Sequence, residues 1–167
     1  MREIGGRIIK QVRKGNGSAF KKLVEHYHQS VYQICYLIMG DDNRAEELAK
    51  NTFLHVYYHS SDCQAINKKF SLGLFQITVI LAQSQLSERK QSGVDVGPVY
   101  NEKKTNEVTS LLMNVSLNER LALILKSSDH LSIQEISGIL QIPDSDTITY
   151  IWRGRETIRR EMISYIT

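Results

Sequence analysis

The sequence predicts an all-α chain: two small helical domains joined by a linker, the second carrying a helix-turn-helix. Three observations carry this. Apolar residues recur at helical spacing through most of the chain, and no alternating stretch long enough for a useful strand occurs. Only 2 prolines stand in 167 residues, so little interrupts long helices. The stretch LSIQEISGILQIPDSDTITYIWRGRETIRR, residues 131–160, reads as two helices about a tight turn. In it Ser132 and Glu135 have capping-box spacing, and Ile133, Ile136 and Leu140 form one apolar face. Gln141, Ile142 and Pro143 break the pattern, because proline lacks the N–H that a continuing helix needs. Asp144, Ser145 and Asp146 supply a new start with acidic first-turn charge. Ile148, Ile151, Trp152, Arg155, Ile158 and Met162 then predict a long helix with one apolar side. Helices joined this way place the second in the DNA major groove, although a plain helical hairpin in a core has the same pattern.

In chain order, Ile4 to Lys14 predicts a short basic helix, ended by Gly15-Asn16-Gly17. Ser18 is the expected cap of the next helix, whose one face carries Phe20, Leu23, Val24, Tyr27, Val31, Ile34, Cys35 and Ile38. Gly40-Asp41-Asp42 closes it. Asn43 with Glu46 predicts a second capping box, opening a helix with Leu48, Phe53 and Val56 that ends near Ser60-Ser61. After a polar connector with Lys68-Lys69, FSLGLFQITVILAQSQLSERK predicts a helix apolar nearly all round, hence buried. Residues 91–106, with two glycines, a proline and mixed charge, predict a linker. Val108, Leu111, Leu112 and Val115 start a short helix, and Ser116 with Glu119 predicts a third capping box before Leu121, Leu123, Ile124 and Leu125. The domain boundaries are therefore 1–90, 91–106 and 107–167.

Composition narrows the function classes. No run of some 18 apolar residues is evident, so no membrane span is expected, and the first residues lack a signal peptide's apolar core. Cys35 and Cys63 are the only cysteines, which implies no disulfide framework. Residues 1–90 hold 13 Lys and Arg against 8 Asp and Glu, a net +5; residues 107–167 hold 6 against 8, a net −2. A slightly acidic helix-turn-helix half is an awkward fit to phosphate-driven DNA binding. His55 and His59, four apart on a helix, could share a metal, but no third ligand is placed and no HExxH pattern exists, so no metal site or cofactor is expected. There is no phosphate-cradling glycine loop and no nucleophile motif, so neither an enzyme nor a small-molecule substrate is expected. The basic first helix, with Arg2, Arg7, Lys10, Arg13 and Lys14, fits either a solvated face or an approach to DNA or a protein.

With both halves in view, the chain resembles the extracytoplasmic-function sigma factors, the small two-domain class of the sigma-70 family. In the first half the resemblance rests on RIIKQVRKGNGSAFKKLVEHYHQSVYQICYLIMGDDNRAEELAKNTFLHVYYH, against a family pattern with a basic start, G-x-x-x-A-F and A-E-[DE]-L-x-Q-[ED]-x-F. In the second it rests on ERLALILKSSDHLSIQEISGILQIP and RGRETIRREM, against E-I-A-x-x-L-x-I-P-x-G-T-V-K-S-R-x-x-R-[AG]-R. The resemblance implies a cytoplasmic transcription factor that binds core RNA polymerase through Glu46, Glu47, Lys50, Asn51 and Phe53. It implies contacts to the minus-ten side of promoter DNA from Lys68, Lys69, Phe75, Arg89 and Lys90. Thr147, Thr149, Arg153 and Arg155 of the recognition helix would read the minus-thirty-five element. An anti-sigma factor, commonly membrane-linked, is the implied regulator.

Departures fall on these contact positions. Lys50 and Asn51 replace the family's Gln and acidic pair. Gly73 stands where the melting helix has Trp, Ile80 for Asn, and Ser84 for Asp. Ile148 and Tyr150 replace the two basic positions of the recognition helix. Two readings stay open on sequence: a working sigma factor with its own promoter preference, or a degenerate sigma-like regulator that binds an anti-sigma factor or polymerase without reading promoters.

Overall fold

A computed structural model describes residues 2–66, 68–93, 107–128 and 131–166. Among them are eight helices and no strand: α1 Gly6–Arg13, α2 Gly17–Met39, α3 Asp42–Tyr58, α4 Phe70–Gln91, α5 Glu107–Met113, α6 Leu117–Ser127, α7 Ile133–Leu140 and α8 Asp144–Ile166. Gln91 belongs to α4, and most of the expected linker, residues 94–106, lies outside the described residues.

Two of the expected caps move, and a third keeps its place without its bond. The α2 cap is Asn16, whose side chain accepts from the Ala19 N–H at 2.8 Å; Ser18 is already inside the first turn. The α3 cap is Asp41, in extended conformation and accepting from the Arg44 N–H at 2.9 Å, which puts Asn43 within the helix. Ser116 does precede α6, but its hydroxyl makes no capping bond. The Ser132–Glu135 box forms in full, with both reciprocal hydrogen bonds.

The first four helices pack about α2, whose Leu23, Tyr27, Val31, Cys35 and Ile38 are buried. By length and composition alone, Phe70–Arg89 is apolar enough to cross a membrane. In the fold this stretch is a core helix, 56% of it buried, with Leu72, Leu74, Phe75 and Val79 closed off from solvent. That explains a helix apolar nearly all round. In the second half, the buried face of α8 is rotated from the expected one, keeping Ile151 and Ile158 of it. Thr147, Ile151 and Gly154 point inward, while Ile148, Trp152 and Met162 are exposed. Gly154 decides the rotation: a Cβ there would stand 2.6 Å from Leu123 Cδ1, so α6 and α8 approach at that glycine. The two halves also touch. Gln76 Nε2 on α4 donates to the Gly138 carbonyl on α7 at 2.9 Å, and Met113 packs against Gly40.

Candidate nucleic-acid and partner interfaces

The sequence-expected contact residues fall into three places. The first is an open, mainly apolar groove of about 650 Å³ between α2 and α3. Its walls include Phe20, Val24 and Leu54, with Glu46 and Lys50 adding opposite charges. Phe53 lines it too, but is only 5% exposed and is therefore floor, its ring held in the core. Glu47 is exposed and Asn51 half-buried, and neither lines the groove. At one edge the Tyr32 hydroxyl donates to Asp42 at 2.9 Å. Burial, then this acidic partner, pushes the phenol up to about 12.

The second place is the start of α4. Lys68 is exposed and held in the left-handed region at φ 62°, uncommon for a residue with a Cβ. Lys69 Nζ lies 2.6 Å from Glu135 Oε1, so the cation is already paired across the two halves. The Lys69 hydrogen bond holds the Glu135 carboxyl below its ordinary range, helped by the Ser132 N–H. Phe75 corrects the sequence reading: it is 1% exposed, a core ring with no surface to offer a base. Arg89 is half-buried near the far end of α4, about 30 Å from Lys69 at 1.5 Å per residue, so it does not join that cluster. The Lys90 side chain lies outside the described residues.

Two residues outside the expected contact set shape this region. Glu3 caps α4 from a distance: its carboxylate accepts from the Phe70 N–H at 2.9 Å, the Ser71 N–H at 3.3 Å and the Ser71 hydroxyl. Tyr27 completes the knot, donating to Glu3 at 3.3 Å and accepting from the Ile4 N–H at 3.0 Å. Only the sequence distance of 67 residues hid this cap. Gly73 is the other. A Cβ there would lie 2.0 Å from the Gln64 carbonyl oxygen, so the loop before α4 rests on the helix where the family pattern has Trp. The absent side chain marks an occupied place.

The third place is α8. Thr147 is fully buried and also corrects the sequence reading. Its hydroxyl is 2.9 Å from that of Ser137 and donates to the Pro143 carbonyl at 3.3 Å. It pins α8 to α7 and is unavailable to DNA. Thr149 is half-buried, its hydroxyl donating to the Ser145 carbonyl at 2.9 Å. Arg153 is exposed and lines a shallow groove with Trp152, Thr157, Arg160, Glu119 and Glu156. Arg155 is exposed too, but two residues on, about 200° round the helix, so the two arginines do not act on one surface. The exposed Trp152, beside Arg153, was misassigned to the apolar side by periodicity alone.

His55 and His59 do approach, with ring centroids 5.0 Å apart, and His55 Nε2 is 3.4 Å from Asp62. Among the described residues no group of three or more His, Cys, Asp or Glu could hold a metal ion.

No protein-family model matches the chain. Among curated relatives it is similar to the ECF RNA polymerase sigma factor SigW of Bacillus subtilis (strain 168), at 29% identity over 177 residues, 92% of this chain and 94% of that protein. Among solved structures, its fold is similar to that of CnrH in complex with the cytosolic domain of CnrY, with a TM-score of 0.71 at 18% identity, covering 94% of this chain and 96% of that one. It is also similar to the sigma factor RpoE in complex with the anti-sigma factor NepR from Bartonella quintana, with a TM-score of 0.68 at 16% identity, covering 84% and 94%.

Proposed function

We propose that this chain, similar along nearly its whole length to the extracytoplasmic-function sigma factors, acts as one: it binds core RNA polymerase and directs it to particular promoters. The observation that carries the reading is the similarity to SigW, which spans 92% of this chain and so takes in both halves. The α2–α3 groove is the polymerase-docking surface. Its apolar walls would supply burial, and Glu46 and Lys50 would set the register of the docked element. Lys68 and Lys69 at the start of α4 contact the minus-ten strand. Arg153 is the base reader of the recognition helix, since an exposed guanidinium on this face suits a guanine edge, with Trp152 beside it for stacking or methyl contact. Thr149 contributes a weaker hydroxyl contact, and Arg155 a phosphate contact on another side.

In this reading the protein works in the cytoplasm and makes no bond itself; it lends specificity to the polymerase. An anti-sigma factor is its regulatory partner, held at the membrane. Co-elution of the full chain with purified core polymerase tests the first step. Stoichiometric holoenzyme is the expected result, and a chain that elutes free at micromolar concentrations would overturn the reading.

A further inference from the structure

Residues ahead of α2 brace the loop before α4 at two points. Arg13 Nη2 donates to the Cys63 carbonyl at 3.4 Å. Glu3 acts at the far end of the loop. There Lys69 precedes the first turn of α4 in extended conformation and offers no side-chain cap. Glu3 supplies one: Oε2 accepts from the Phe70 N–H at 2.9 Å and the Ser71 N–H at 3.3 Å, and Oε1 from the Ser71 hydroxyl. Oε2 also accepts from the Tyr27 hydroxyl at 3.3 Å, and His26 Nε2 bonds the Arg2 carbonyl at 2.7 Å, so the carboxylate is itself anchored on α2. Between the two braces, Ile66 and Lys69 exchange backbone hydrogen bonds at 2.9 and 3.2 Å and close a tight turn. Lys68 stands in that turn, exposed and at φ 62°. A lysine keeps such a conformation only where its surroundings over-determine it.

We infer that Glu3 is a positioning residue for the minus-ten contact: its carboxylate fixes the first turn of α4, and with it the tight turn from which Lys68 meets a strand phosphate. Shared backbone supports this. Lys69 is both the last residue of the turn and the residue that leads into α4, so whatever fixes the helix start fixes the turn. Charge supports it as well. A carboxylate beside a phosphate contact repels the phosphate, so on charge alone Glu3 works against binding. Its place is explained by the two α4 N–H groups it satisfies, which have no partner within the helix. A contact made from a preset backbone loses less conformational freedom than one made from a frayed turn. Glu3 thus strengthens DNA binding while carrying the wrong charge for it.

The inference rests on the minus-ten contact proposed for Lys68, and its test separates the two. The full chain, Glu3→Ala and Glu3→Gln are each made with and without Lys68→Ala. Binding to a fluorescent single-stranded DNA 20-mer is titrated at several salt concentrations. Both Glu3 variants lose the same charge. Glutamine keeps an oxygen for the Phe70 and Ser71 N–H groups, and alanine keeps none. In the parent, Lys68→Ala is expected to weaken binding roughly threefold to tenfold and to make the salt slope shallower by about 0.7, the value of one single-strand phosphate contact. The same loss is expected in Glu3→Gln. In Glu3→Ala the loss from Lys68→Ala is expected to shrink below about twofold, the mark of coupling between the two positions. Glu3→Ala alone is expected to bind more weakly than Glu3→Gln. A cap that served stability only would lower the melting temperature and leave the Lys68→Ala loss alike in all three backgrounds. That result overturns the positioning role and leaves the contact standing. A parent that does not bind the 20-mer, or binds it equally well with Lys68→Ala, overturns the contact and the positioning role with it.

Discussion

The hydroxyls of Ser137 and Thr147 stand 2.9 Å apart and tie the two helices of the helix-turn-helix together across its turn. Both residues are buried: Ser137 donates to the Ile133 carbonyl at 2.8 Å and so accepts from Thr147, whose single hydroxyl proton is shared with the Pro143 carbonyl at 3.3 Å. Thr147→Val removes this link while keeping the shape. Because Ser137 retains Ile133, no polar group is stranded, and the cost is expected at about 1 kcal/mol. Denaturant unfolding should show this loss, and promoter preference should be unchanged, since the hydroxyl never faces DNA.

Arg153 is the opposite case. It is exposed on α8 and packs no core. Arg153→Ala should leave unfolding within about 0.5 kcal/mol of the parent. It should weaken binding to a preferred minus-thirty-five sequence by roughly 1–3 kcal/mol, with a smaller loss on unrelated sequences. Titrations on both duplexes measure this. An equal loss on both would assign Arg153 to phosphate and leave the recognition helix without its base reader.

Gly73 is required by the loop that crosses it. With the Gln64 carbonyl oxygen 2.0 Å from any Cβ, Gly73→Ala must displace backbone. The expected cost is about 1–3 kcal/mol, the usual scale of overpacking. Gly73→Ala should also loosen residues 60–66, read as faster amide hydrogen exchange there. A Gly73→Ala chain as stable as the parent would contradict the close approach.

Alkaline pH should destabilise the first half. Burial pushes Cys35 and Cys63 up to about 12, and burial together with the Glu3 knot does the same to Tyr27. Each group keeps its proton in the folded chain at a pH where the unfolded chain has released it. The folded state then binds more protons, and stability falls as pH rises. Their contribution is fully present below about pH 8.5, the ordinary thiol value, and drains away as pH climbs toward 12. Unfolding midpoints measured from pH 7 to 11 should fall steadily. Replacing both cysteines by alanine should flatten the lower part of that fall.

Much of the fold was legible because it rests on local rules. The α2 face from Leu23 to Ile38 and the Ser132–Glu135 box follow from helical spacing and a four-residue motif. The expected caps at Ser18 and Asn43 missed by two residues, since Asn16 and Asp41 offer equally good acceptors and only backbone geometry chooses between them. Periodicity placed Trp152 and Ile148 inside because it cannot know that Gly154 turns another face of α8 toward Leu123. The candidate site was less legible for the same reason. Thr147 and Phe75 have residue types that DNA contacts favour, but their burial is tertiary. Glu3 on α4 and Glu135 on Lys69 are long-range pairs that no local pattern marks. Of the expected contact residues, the structure leaves Arg153 exposed and puts Glu46 and Lys50 on the groove wall.

The most direct test of the account is run-off transcription by purified core polymerase supplemented with this chain, on a pool of promoter fragments. The account predicts start sites that appear only with the chain present, and that fade when Arg153→Ala is supplied instead. Core polymerase that gains no new start site over the whole pool, while binding the chain, would contradict it and identify a sigma-like regulator that docks without reading promoters.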